Sequence, residues 1–175
     1  MGEKFSTSSR KNLYNGRIIN VYLDKVITPE GQTLSREVVE HSGGVVALAV
    51  VDGDVLFVRQ YRHPAGQSLL ELPAGKLEKG ENPADCAARE LEEETGYRSS
   101  KVYEIGRFYA SPGYLGEIFY LYAAENLTHT AQRLDPDEIL SVERLPLKEA
   151  VAACFDGRIL DAKTALALLI YTSGR

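Results

Sequence analysis

Four acids crowd into five positions, Glu90, Glu92, Glu93 and Glu94, directly after Arg89 in the segment GKLEKGENPADCAARELEEETGY (Gly75 to Tyr97). Acids at that density either hydrate a solvent face or hold a cation. The flanking residues favour the second role, because they build a helix that lines the acids up. Asn82 caps free backbone donors and Pro83 suits the first helical position. Asp85 complements the dipole of the first turn, and Gly96 stops the helix. On a helix from Pro83 to Thr95, the residues Ala84, Ala87, Ala88, Leu91 and Thr95 share one packing side. Glu90, Glu93 and Glu94 fall at i, i+3 and i+4 along its edge, while Glu92 points elsewhere, to water. Like charges at that spacing repel by roughly 0.2–0.5 kcal/mol per pair. Arg89 offsets part of this through Glu93 at i+4, and a divalent metal would offset the rest. The donors are all hard oxygens, with no His or Cys among them, which favours Mg²⁺ or Mn²⁺ over zinc. Mg²⁺ commonly shares its shell with phosphates, so a phosphate-containing substrate is expected.

The rest of the chain must position this helix. The first dozen residues are polar and expected to be loose. Arg17 to Ile27 and Thr33 to His41 read as two strands around the turn Pro29-Glu30-Gly31. Residues 1–42 are therefore expected to form an N-terminal antiparallel β element, and 43–175 the main domain. VVALAVV is a continuous apolar run typical of a strand buried on both faces. Asp52-Gly53-Asp54 turns it back into VLFVRQY. Leu69 to Leu72 is a short strand that Pro73-Ala74-Gly75 breaks. KVYEIGRFYA, IFYLYAAE and ILSVERL are later strands, interrupted by the loops Ser111 to Tyr114 and Leu134 to Glu138. Helices are expected over Leu147 to Phe155 and Asp161 to Tyr171, with Asp161 as N-cap. Strands with helices interposed, without regular βαβ alternation, predict a mixed α/β or α+β fold.

Composition narrows the function. The chain has 175 residues, 44% of them hydrophobic and 26% charged, an ordinary globular balance. A net charge of −5 without a Lys/Arg cluster argues against a nucleic-acid backbone binder. Two cysteines, Cys86 and Cys154, with no CxxC pair, argue against structural zinc and for a reduced, cytoplasmic setting. No signal-peptide core and no membrane-length apolar run is present.

The central segment meets the pattern G-x5-E-x7-R-E-U-x-E-E-x-G-U, where U is a bulky apolar residue. Gly75, Glu81, Arg89, Glu90, Leu91, Glu93, Glu94 and Gly96 take their places, and Tyr97 stands where an aliphatic residue is more usual. It resembles the Nudix box, and the surrounding order of elements is similar to the Nudix α/β/α sandwich with its mixed sheet. The resemblance implies hydrolysis of a nucleoside diphosphate linked to another moiety. Glu90 and Glu94 would hold two or three Mg²⁺ ions, with Glu93 close by, and Glu81 would pair with Arg89 to orient the helix. The run ELPAGKLEKGE from Glu71 to Glu81 is similar to that of the ADP-ribose pyrophosphatases, as is Pro112, fifteen residues past the box.

That subfamily resemblance implies further roles. The Ala74 carbonyl would be a backbone metal ligand. Arg62 would contact phosphate, Arg36 would be a second cation supplied by a partner subunit, and Glu117 would be the acid of the loop that carries Pro112. Glu71 and Tyr114 join the substrate-binding candidates. The base is expected on the late acidic loop, at Glu138 with Asp137 as reserve, and Glu93 is the alternative. The products from ADP-ribose would be AMP and ribose 5-phosphate. Another nucleotide sugar such as GDP-mannose, or a catalytically silent nucleotide sensor, stays open as an alternative. The resemblance also implies a homodimer with exchanged N-terminal strands.

Overall fold

The computed structural model describes residues 4–136 and 138–174. Its contacts divide into two compact units. One holds the residues up to Gly43 together with Tyr109–Ile118, and the other holds Gly44–Phe108 with the residues from Phe119 onward.

The first unit contains a three-stranded antiparallel sheet, β1 (Ser6–Asn15), β2 (Asn20–Ile27) and β3 (Thr33–Glu40), in that order. Residues from Ser6 to Asn12, expected to be loose, therefore belong to a strand. Every residue of β1 is exposed, so it carries no burial periodicity to read. Backbone pairing needs no apolar side chain. Arg10 adds a specific tie, donating from Nε and Nη2 to the buried Asp24 carboxylate at 2.8 and 2.7 Å. Its guanidinium also lies 4.5 Å from the Tyr22 ring centroid.

The second unit is built on a mixed sheet. Its strands are β4 (Gly44–Val51), β5 (Asp54–Arg62), β6 (Gln67–Glu71), β7 (Ala74–Lys76), β8 (Tyr97–Tyr109), β9 (Ile118–His129) and β10 (Leu140–Pro146). The path runs β10-β5-β4-β9-β8, with β6 on β5 and β7 on β4. β4 and β9 are parallel, while β10, β6 and β7 pair antiparallel. The β4–β5 turn places Asp52 at φ 53 and Gly53 at φ 91, the left-handed pair that an Asp-Gly hairpin requires. The short strand β6 ends at Glu71, broken before Pro73 as expected, and the chain then crosses from β5 to β4. The Pro73 carbonyl accepts from Ala47 N at 2.8 Å, and Ala74 to Lys76 pair with β4. A proline lacks a donor but keeps its acceptor.

Three helices are described, α1 (Pro83–Thr95), α2 (Leu147–Ala153) and α3 (Ala162–Ser173). They cover both faces of this sheet, and β4 shows why its sequence is apolar throughout. Val45, Ala47 and Ala49 pack with Cys86, Ala87 and Leu91 of α1. Val46 and Leu48 pack on the opposite face with Ala150, Ala153, Ala167 and Leu168 of α2 and α3. Successive residues of a strand face opposite ways, so a strand sandwiched between helices must be apolar at every position. This is the mixed-sheet α/β/α sandwich expected from the sequence. Among the described residues, no helix is long and apolar enough to cross a membrane.

Candidate active site

α1 is delimited by the residues that the sequence nominates. Asn82 Oδ1 accepts from Ala84 N at 2.8 Å, Gly96 sits at φ 72, and its N–H donates to Glu92 O at 2.8 Å. Leu91 and Ala87 are fully buried against the sheet, as their side of the helix requires. The carboxylate edge sinks deeper than the sequence suggests. Glu90 is 8% and Glu94 2% exposed. Burial pushes the Glu90 carboxyl up to about 7 and the Glu94 carboxyl up to about 8. Repulsion adds to this: from Glu93 and Glu138 on Glu90, and from Glu90 and Glu138 on Glu94. Glu94 accepts from Ala74 N at 3.0 Å, which fastens the helix edge to β7. A Cβ on Gly75 would stand 1.9 Å from the Glu90 carboxyl carbon, so only glycine admits that carboxylate beside the backbone.

Arg89 gathers the neighbouring acids. It donates to Glu81 from Nε at 3.0 Å and Nη2 at 3.2 Å. Its Nη1 lies 2.8 Å from Glu90 and 2.9 Å from Glu93. Among the described residues no three His, Cys, Asp or Glu side chains converge as a ready-made cage. The donor set nevertheless fits a hard divalent cation. Two buried, mutually repelling carboxylates lie beside a glycine-lined strand, and only oxygen donors are offered.

A second network lies outside the box. Glu71, 1% exposed, accepts from Arg62 Nε at 2.7 Å and Nη2 at 2.9 Å, and from Lys163 Nζ at 2.7 Å. These cations hold its carboxyl below the usual range against the opposing effect of burial. Lys163 also donates to Asp161 at 2.8 Å. Asp161 caps α3 through Thr164 N at 3.0 Å, and Thr164 Oγ1 accepts from Leu72 N at 2.9 Å. Glu71 first, and Glu94 more weakly, raise the Arg62 guanidinium above its ordinary value, so this network adjoins the carboxylate edge. Sequence reasoning nominated Arg62 and Glu71 separately and missed Lys163. No local signal marks a lysine whose partner lies 92 positions away.

The late loop brings Glu138 close enough to add repulsion to both Glu90 and Glu94. Glu138 Oε2 accepts from Asp135 N at 3.2 Å, and Glu138 N donates to Asp135 O at 3.0 Å. Asp137, the reserve base, lies outside the described residues. Glu92 does not point to water. It accepts from Arg98 at 2.8 and 2.9 Å and from Arg133 at 3.2 Å. These partners lie beyond the helix, where a helical wheel has no view. Tyr97, the departure from the box pattern, has a surface use for its polar tip. Arg144 donates to its hydroxyl and lies 5.3 Å from its ring, and His129 meets the ring edge-on at 5.1 Å.

The remaining candidates belong to the first unit. Arg36 and Tyr114 line one recess of about 330 Å³, with Leu23, Ser35, Glu37 and Gly113. Pro112 sits in the turn that holds Tyr114, whose carbonyl accepts from Val39 N at 2.7 Å. Glu117 lies 3.5 Å from His41 Nδ1.

Comparison with known proteins agrees with this architecture. A NUDIX domain model matches residues 40–166. An ADP-ribose pyrophosphatase of Bacillus subtilis (strain 168) is 41% identical over 93% of this chain and 89% of its own. A methanol dehydrogenase activator of Bacillus methanolicus is 41% identical over 96% and 94%. A GDP-mannose pyrophosphatase of Yersinia pestis (strain Pestoides F) is 35% identical over 86% and 82%. The crystal structure of an ADP compounds hydrolase superposes with a TM-score of 0.86 at 20% identity, covering 98% of this chain and 94% of that one. The chain belongs to the NUDIX domain family and is a Nudix hydrolase.

Proposed function

We propose that this hydrolase cleaves the diphosphate of ADP-ribose, or a related ADP-sugar, to AMP and ribose 5-phosphate with Mg²⁺ as cofactor. Water adds to one phosphorus and the bridging oxygen leaves with the other phosphate. The observation that carries this reading is the pair of buried carboxylates, Glu90 and Glu94, with Glu138 beside them. When bound, Mg²⁺ supplies charge stabilisation to the diphosphate oxygens and lowers the pKa of water. Glu90, Glu94 and the Ala74 carbonyl would hold it, with Glu93 close by. Arg89 orients the helix through Glu81. Glu138 accepts the proton of the attacking water. Arg62, held by Glu71 through Nε and Nη2, presents its remaining edge to a phosphate oxygen. The resemblance also gives Arg36, supplied by the partner subunit, and Pro112, Tyr114 and Glu117 a part in recognising the substrate. GDP-mannose is the second reading, favoured by the Yersinia relative.

Incubation with Mg²⁺ and a panel of ADP-ribose, GDP-mannose, diadenosine polyphosphates and nucleoside triphosphates, followed by mass spectrometry of the products, tests the substrate. AMP with ribose 5-phosphate is the expected pair; no turnover of any member removes both readings. Glu138→Gln is expected to lower kcat by roughly 10²-fold or more while metal affinity holds. Near-full activity in that variant, with loss in Glu93→Gln, would move the base to Glu93.

The same reading makes the protein a homodimer through its N-terminal strands. β1 is exposed along its whole length, and Leu13, Tyr14 and Ile18 are 50–57% exposed. Light scattering should give twice the chain mass of 19.3 kDa. A monomer at assay concentrations would exclude a partner-supplied Arg36.

A further inference from the structure

We infer that Glu92 and Gln132 are positioning residues: they latch the loop bearing Glu138 onto the C-terminal end of α1. The inference rests on the reading of Glu138 as base. The last carbonyls of a helix have no partner within it. Here they are taken by one short strip of chain after β9. Thr130 N donates to Gly96 O at 2.7 Å, and Arg133 N donates to Glu93 O at 2.8 Å. Gln132 Nε2 donates to Glu94 O at 2.6 Å. Two of these acceptors are the backbone carbonyls of the box glutamates themselves.

The Glu92 side chain closes the latch. Its Oε1 accepts from Arg133 Nη2 at 3.2 Å and lies 3.3 Å from Thr130 Oγ1. Arg98 of β8 grips the same carboxylate with two bonds, so Glu92 joins helix, sheet and loop. Glu138 lies five residues beyond Arg133, a reach of at most about 17 Å. Anchoring Arg133 on the helix therefore limits how far the Glu138 carboxylate can move from α1, which carries Glu90 and Glu94. Base catalysis depends on that placement, since a proton acceptor must stand within hydrogen-bond reach of its water.

The test uses the full-length protein with Glu92→Ala and Gln132→Ala, read by amide hydrogen exchange and by steady-state kinetics on ADP-ribose with Mg²⁺. Each variant is expected to speed exchange at Thr130 and Arg133 about tenfold, with α1 unchanged. Each is expected to lower kcat about tenfold with KM unchanged. Combined with Glu138→Gln, Glu92→Ala should lower kcat by less than about twofold, because the base it positions is gone. A purely structural role would give the same loss in both backgrounds, and that result overturns the proposal. So does unchanged exchange in both variants. Were the wild-type protein to turn over no member of the substrate panel, the substrate reading would fail by itself and the exchange measurement would still decide the latch.

Discussion

Glu94→Gln is expected to abolish Mg²⁺-dependent hydrolysis and, at the same time, to stabilise the metal-free protein at neutral and alkaline pH. A metal clamp worth roughly 5 kcal/mol of transition-state stabilisation corresponds to about 10⁴-fold in rate. The stability gain has a separate cause. Glu94 is 2% exposed, and its carboxyl is pushed up to about 8 by burial, then by Glu90 and Glu138. A carboxyl whose folded pKa is raised above its ordinary 4.5 contributes stability in full below that value. The contribution is lost as pH rises through the folded pKa. Metal-free wild-type protein should therefore lose Tm between about pH 5 and pH 8. Glutamine keeps an acceptor for Ala74 N and carries no charge, so the variant's profile should be flatter. Raising a buried carboxyl's pKa by one corresponds to about 1.4 kcal/mol, and 1 kcal/mol moves Tm by roughly 2–4 °C in a chain of this size. The rise from 4.5 to about 8 corresponds to roughly 4–5 kcal/mol, so a Tm difference of roughly 10 °C at pH 8 is expected by calorimetry. Saturating Mg²⁺ should close it from the wild-type side, because a ligand that binds only the folded state stabilises that state. Superimposable metal-free profiles, or retained turnover, would remove Glu94 from the site.

Glu71→Ala is expected to cause the largest loss of stability of any change at the site. Its carboxylate is 1% exposed and takes three charge-assisted bonds from Arg62 and Lys163. Removing one member of a buried ionic cluster costs about 3 kcal/mol, since the partners stay behind without a counter-charge. That is roughly 6–12 °C in Tm. Arg62 would also lose the partner that aims it, so KM should rise more than kcat falls. The pH sign is opposite to that of Glu94. The Glu71 carboxyl is held below its ordinary value, so its contribution is present above about pH 4.5 and disappears as pH falls through the folded pKa. The gap between wild type and variant should thus be full at neutral pH and narrow on acidification. A gap independent of pH would mean that Glu71 acts through packing rather than charge.

These two carboxylates show where sequence reasoning ends. Both are glutamates in runs that the sequence singled out, yet burial raises one carboxyl and a pair of cations lowers the other. That difference depends on Lys163, 92 positions from Glu71, and on Ala74, 20 positions from Glu94. Likewise Glu92 looked solvated on a helical wheel, because the wheel holds only its own helix. Its partners Arg98 and Arg133 lie on the following strand and a distant loop. β1 escaped notice for the converse reason, since a ladder closed by backbone bonds on an exposed surface leaves no apolar alternation.

What the sequence determined by itself was local. Asn82-Pro83 and Gly96 set the ends of α1, 3.6-residue periodicity placed Leu91 inside, and Asp52-Gly53 set the hairpin between the apolar runs VVALAVV and VLFV. The spacing of Gly75, Glu81, Arg89, Glu90, Glu93 and Glu94 matched the family pattern, because those groups follow one another at fixed intervals in one short stretch of chain. The tertiary structure alone decided that Glu90 and Glu94 are buried, that Glu71 is shared by Arg62 and Lys163, and that Thr130 to Arg133 close the end of α1. Each of these is a matter of solvent exclusion or of hydrogen bonding between distant segments, and neither exists until the sheet has brought those segments together.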